Sequence, residues 1–295
     1  MIAAAVALAW ALAEPALSPS AATVRAVADA AAVLCLGLAV VPLLDEPRYR
    51  AELLRRASGP LAFAGAVWLV AELVRLLASA ADLVDLPLYR LSLHTAWEFA
   101  TITAAGRSGL FSLVAAALIC LSVWLLRPTV AVRVAVAGIV GVGVAARAVT
   151  GHLSEGTLGA AAVVVHALAA AVWCGLLAAL VFTVRTRGQW ARVLLPFSRL
   201  SLICVVTLLI GGTAGAVSRL AAPSDLYASG YGRILLAKVV ATVILLVLAW
   251  HNRTRWVPAA SGHRISADTS RLRALTELAV MAVALVLAAA LTVTG

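Results

Sequence analysis

The stretch His152–Leu180, HLSEGTLGAAAVVVHALAAAVWCGLLAAL, sets a polar turn holding His152 and Glu155 before a long apolar run broken by one histidine, His166. Trp173 and Gly175 follow on the same run. The apolar part is long enough to cross bilayer hydrocarbon, which takes about 20 residues of helix. An unpartnered polar group in that medium costs on the order of several kcal/mol. His166 is therefore either satisfied by a neighbouring helix or turned toward a site.

The rest of the chain has the same character. Hydrophobic residues make up 64% of its 295 residues and charged ones 12%, with a mean hydropathy of +1.06. Soluble domains carry about 25% charged residues, so this is an integral membrane protein. The net charge of +10 would point to nucleic acid in a soluble chain. Here the basic residues fall between apolar runs and report topology, and no nucleic-acid partner is expected. The four cysteines, Cys35, Cys120, Cys174 and Cys204, each lie inside an apolar run without CxxC spacing. They read as small buried hydrophobes rather than a disulfide framework or a thiolate zinc site. Met1 and Met281 are the sole methionines, too few for a thioether ladder suited to Cu(I).

Nine apolar segments can be marked, at about 1–17, 24–44, 60–80, 109–126, 131–150, 158–184, 194–220, 231–251 and 272–294. The first has no basic n-region, so it reads as a retained span rather than a signal peptide. Loops after the even-numbered spans hold fifteen of the 23 basic residues, among them Arg55, Arg127, Arg133, Arg192 and Arg253. Such loops mark the cytoplasmic side. The fold class is thus all-α, a polytopic transmembrane bundle of about nine spans with its N-terminus inside and its C-terminus outside. The outer connection at 81–108 reads as an interfacial amphipathic helix, with Leu88, Leu91, Ala96 and Phe99 opposing Arg90, His94 and Glu98, and Tyr89 and Trp97 at headgroup level.

Each intramembrane ionisable residue then acquires a depth. Asp29, Glu72, Arg75, Arg147, His166 and Lys238 fall in the outer half or near its edge, and Glu277 in the inner half. Glu72 and Arg75, three apart, can pair on one helix face. Such residues usually face a bundle interior or a water-filled space, so a shared outer cavity is expected. Its balance of charges does not favour a hard cation, whereas imidazoles suit copper, zinc or iron. The outer imidazoles are His94, His152 and His166. There is no HExxH, GxSxG or phosphate-binding glycine loop, and an enzyme is not expected.

Several pieces share an order and spacing: Gly151-His152, His166–Trp173 with Gly175-Leu176, Phe197–Ser201, Tyr231-Gly232-Arg233 with Leu235–Lys238, Asn252-Arg253, Pro258 and Glu277. Together, over about residues 145–295, they resemble the copper resistance protein D (CopD) family of bacterial inner-membrane proteins. The N-terminal half resembles the extended actinobacterial form, in which this module precedes a cytochrome c oxidase assembly-like domain. The organisation expected is an N-terminal group of helices over 1–144 and a CopD-like core over 145–295, forming one membrane domain. The resemblance implies a multi-pass protein of the bacterial inner membrane that takes up or delivers copper. Copper ion is then the bound metal, and a periplasmic copper chaperone or oxidase-assembly proteins are the partners beside the lipid bilayer. It also implies outward-facing histidines at His152 and His166, to which His94 is added as a third candidate metal ligand from the outer connection. Trp173 would support their helix, and Lys238 and Glu277 would be intramembrane charged positions. Two other readings stay open: an assembly or scaffold factor for a respiratory oxidase, and a b-type haem protein held by two of these histidines.

Overall fold

The computed structural model describes residues 19–148, 157–219 and 230–294. Within them eight long helices follow the predicted segments from 24–44 to 272–294, and no strand occurs. They are α1 (Pro19–Val40), α2 (Arg50–Leu83), α4 (Ala104–Leu125), α5 (Val130–Ala148), α6 (Thr157–Thr183), α7 (Arg187–Arg219), α8 (Gly230–His251) and α10 (Ala267–Thr294). The short helices α3 (Leu93–Ile102) and α9 (Val257–Ser261) lie between them. Seven of the long helices, α1, α2 and α4–α8, meet the length and hydropathy needed to cross a membrane. The first predicted span, 1–17, lies outside the described residues.

Helix ends differ most from expectation at the arginine-rich side, where α2 and α7 begin at Arg50 and Arg187 rather than near 60 and 194. Hydropathy marks where hydrocarbon begins, not where a helix stops. Arginine is a good helix former whose long stem reaches back along the helix, so the helix continues into the interface.

The outer connection also departs from the reading above. Leu88 lies in an exposed 3-10 turn, and α3 starts only at Leu93, capped by the Ser92 hydroxyl accepting from Thr95 N at 3.0 Å. Phe99 and Ala100 are buried with Leu76 and Ala80 of α2, whereas Tyr89, Leu93 and Trp97 are exposed. One face of α3 is therefore docked on protein and the other is left for the interface.

Helix α1 is the most enclosed of the seven spanning candidates, packing against α2, α5, α6 and α10. Its closest approach is to α6 at Gly37 and Gly175. A Cβ on Gly37 would coincide with the Gly175 carbonyl, and one on Gly175 with the Val33 carbonyl. Without a hydrophobic drive between helices in lipid, such small-residue crossings supply the packing.

At the arginine-rich end the α1–α2 connection is tied to α7. Asp45, 3% exposed, accepts from Arg192 Nε at 2.8 Å and Nη2 at 3.1 Å, and the same guanidinium lies 4.0 Å from the Tyr49 ring centroid. Arg56 donates to Gln189 Oε1 at 3.0 Å, and that oxygen also accepts from Arg185 N at 2.9 Å. Two-pronged, charge-assisted bonds of this kind are the strong ones. Asp45→Asn should lower stability by about 1.5–3 kcal/mol, read by thermal unfolding in detergent. Arg48→Gln, which breaks the exposed pair with Glu46, should change it by less than about 1 kcal/mol. Equal effects in the two variants would refute the latch.

Candidate functional site

The polar residues expected to share one outer cavity fall in two places, and Glu277 of the inner half marks a third. The first joins α1, α2, α4 and α5. Glu72, 1% exposed, accepts from Arg75 Nη2 at 2.9 Å, the pair that a spacing of three predicts. Arg147 Nε lies 3.5 Å from the same carboxylate oxygen, while its Nη1 is 3.3 Å from Ser108 Oγ. Gly109 makes room for this, since a Cβ there would lie 3.2 Å from Arg147 Nη1 and 2.7 Å from Leu76 Cδ1. Arg25 and Asp29 on α1, paired at 3.9 Å, act electrostatically on both Glu72 and Arg75. Among the described residues the cluster thus holds three guanidiniums against two carboxylates. That excess of positive charge repels a cation, and its bonds are those of a helix-joining network.

The second place is the α6–α7 interface, at the level of His166. The ring lies flat against the glycine pair of α7: a Cβ on Gly211 would be 3.2 Å from its Nδ1, and one on Gly212 3.7 Å from its Cε1. The Leu208 carbonyl lies beside the ring, yet Nδ1 is buried and makes no bond of normal hydrogen-bond geometry. Lys238 of α8 is within electrostatic reach of the imidazole. A buried ring nitrogen without a well-formed hydrogen bond calls for an explanation.

The third place is about two turns inward on α6. Trp173 and Cys174 are buried there, as is Cys204 of α7, and Cys174 lies within electrostatic reach of both Cys204 and Glu277. Glu277 of α10, 3% exposed, accepts from Asn252 Nδ2 at 2.6 Å. The Trp173 indole sits beside Glu277, but the geometry of a hydrogen bond from Nε1 is not met. Met281, buried one turn along α10, lies on the same helix face as Glu277. Asn252 opens a π-helical segment, Asn252–Trp256, which turns Asn252 toward Glu277 and sets Trp256 on Trp190 at 5.7 Å between centroids. Such segments inside helical runs often occur at functional sites. Glu277 and Asn252 also line a cavity of about 130 Å³ bounded by Ser198, Ser201 and Arg253, where Arg253 Nη1 donates to Ser198 O at 2.9 Å.

Of the two outer histidines among the described residues, His166 belongs to one of these places and His94 does not. His94 is exposed on α3, 3.4 Å from Glu98, and His152 lies outside the described residues. Among the described residues no three His, Cys, Asp or Glu side chains gather closely enough to enclose a metal ion. The arrangement offers an ion one or two donors at a time, in series: an imidazole, then two buried thiols, then a carboxylate and a carboxamide. A search for CxxC does not bring Cys174 and Cys204 together, because they lie on different helices. The available signal was antiparallel register: His166 stands eight residues before Cys174 on α6, and Gly211, which faces His166, stands seven residues after Cys204 on α7.

Two family models match the chain. One, described as copper resistance protein D, matches residues 191–291, and the other, described as copper resistance protein D-like, N-terminal domain, matches residues 16–160. The chain matches no curated protein and no solved structure.

Proposed function

The chain belongs to the copper resistance protein D family, and from that premise we propose that it moves copper through the membrane as Cu(I) along the α6–α7 seam. The observation that carries this reading is that two buried thiols on the packed helices α6 and α7, Cys174 and Cys204, lie within electrostatic reach of one another two turns inward of His166, with Glu277 also in reach of Cys174. Thiolates and thioethers select Cu(I) over the hard cations, and imidazole also accepts copper. Copper is the cargo here. His166 would be the outer station, about 12 Å from the thiol pair at 1.5 Å of rise per residue. Glu277, Asn252 and the small cavity would receive the ion on the arginine-rich side. Sites of two donors fit a transported ion, which must leave as readily as it binds. The cationic Glu72 cluster stands apart from this line and serves the fold. His94, exposed and paired with Glu98, is not needed by this reading.

Competition of the purified protein against a Cu(I)-chelating dye tests it, together with Cu(I) flux in proteoliposomes. Cys174→Ala with Cys204→Ala should weaken Cu(I) binding by at least about 100-fold, the upper end of the loss seen when a metal loses an outer-shell partner. His166→Ala should slow flux while leaving the dye competition close to wild type. Unchanged binding and flux in the double cysteine variant would sink the seam as the path.

A further inference from the structure

A second cavity, of about 280 Å³, lies at the arginine-rich end between α2, α4 and α5, far along the bundle from His166. Its walls mix apolar side chains (Val123, Leu126, Val132) with Arg55, Arg133, Ser58 and Ser122. No carboxylate lines it. The size is near the lower end of small-molecule sites, roughly 300–1,000 Å³.

Arg133 gives this cavity its chemistry. Read from sequence as a loop marker of the inner side, it is instead 3% exposed. Its Nη2 donates to Ser58 Oγ at 2.6 Å and to Leu54 O at 3.1 Å, which fixes the guanidinium from one edge. Its Nε has no partner, and neither of those bonds uses Nη1. A guanidinium held in this way, with no acid beside it, is a buried charge lacking its counterion, a state that strongly favours taking up an anion. Arg55 adds a second charge from the rim. The nearest acid along its helix, Glu52, is already engaged by Arg56 at 2.6 Å, and Arg55 makes no ion pair among the described residues. Arginine pairs with phosphate through parallel N–H bonds, and serine hydroxyls complete such a site.

We propose that this cavity binds the phosphate of an anionic phospholipid, with Arg133 as the buried anchor and Arg55 as the rim cation. The source of the phosphate follows from the surroundings. The α4 surface beside the cavity presents Leu121, Trp124 and Leu125, the tryptophan 84% exposed, as an apolar track for an acyl chain. Tryptophan at that depth marks the headgroup boundary. The side on which the cavity opens carries the arginine-rich loops, which face the anionic inner leaflet. A free phosphate ion would use the same two guanidiniums but neither the track nor the apolar wall.

Native mass spectrometry of the full chain in detergent distinguishes these sources. Wild type is expected to retain one molecule of added phosphatidylglycerol and to bind phosphatidylcholine about tenfold more weakly. Arg55→Gln, an exposed change, should weaken phosphatidylglycerol about tenfold. Ser122→Leu, which fills the cavity but spares both Arg133 bonds, should do the same. Thermal unfolding confirms that both variants fold. Displacement of the lipid by millimolar inorganic phosphate would overturn the lipid assignment in favour of a free oxyanion. Equal lipid retention by wild type and both variants would overturn the site itself.

Discussion

Gly175→Ala is expected to leave little folded protein. The added methyl falls on the Val33 carbonyl of α1, and α1 cannot withdraw without also parting from α2, α5 and α10. Ordinary overpacking, in which a side chain can turn aside, costs about 1–3 kcal/mol. Here the obstacle is main chain on both sides, so the loss should exceed that range. Monodisperse elution from a sizing column and the unfolding midpoint in detergent are the measurements. Gly138→Ala on α5 is the matched control: no atom lies within 4 Å of its added Cβ. There the substitution should be neutral or stabilising by up to about 1 kcal/mol, as alanine for glycine in a helix. A Gly175→Ala protein as stable as the Gly138→Ala protein would show that α1 and α6 do not meet at this crossing.

The second large effect is expected at Glu72. Its carboxylate lies between Arg75 and Arg147, and removing it leaves both guanidiniums inside the bundle facing one another. Breaking the buried Arg75–Glu72 pair by removing one partner costs about 3–5 kcal/mol, because the Arg75 charge loses its hydrogen-bonded counterion. In a chain of this size, Glu72→Ala should lower the unfolding midpoint by roughly 5–8 °C. Adding Arg75→Gln to Glu72→Gln should restore part of the loss, since the two positions share one interaction. Strict additivity in that cycle would mean that the pair at 2.9 Å contributes nothing to stability. Copper binding along the α6–α7 seam should persist in whatever fraction of Glu72→Gln folds, because the cluster is not part of that path.

Depth was legible in the sequence, but azimuth was not. Runs of hydrophobic residues located eight of the helices, and the positions of arginine separated their two ends. From this, Glu72, Arg147 and Lys238 could all be assigned to one layer. Helices that are apolar almost all round carry no stripe to tell which face meets which neighbour. So Asp29, Glu72, Arg75 and Arg147 converge between α1, α2, α4 and α5, while Lys238 stands on α8 near His166. Local spacing worked where both partners shared a helix, as for Glu72 and Arg75. It was silent on Asn252 with Glu277, which bond between separate elements, and on Cys174 with Cys204, which come within electrostatic reach from different helices. Arg133 misled for a related reason: a charge near a loop signals the inner side equally well whether its head lies in water or, as here, against the Leu54 carbonyl.

The Gly37–Gly175 crossing also bears on how the chain is made. The two glycines are separated by most of the N-terminal half of the sequence, so α1 is synthesised long before α6. At about 5–20 residues per second, that interval is roughly 7–28 s. Throughout it the α1 surface around Val33 and Gly37 is bounded by lipid and by whichever helices have already emerged. The helix that ends as the most enclosed of the bundle is thus among the first described spans to be made, and its tightest contact is one of the last to close.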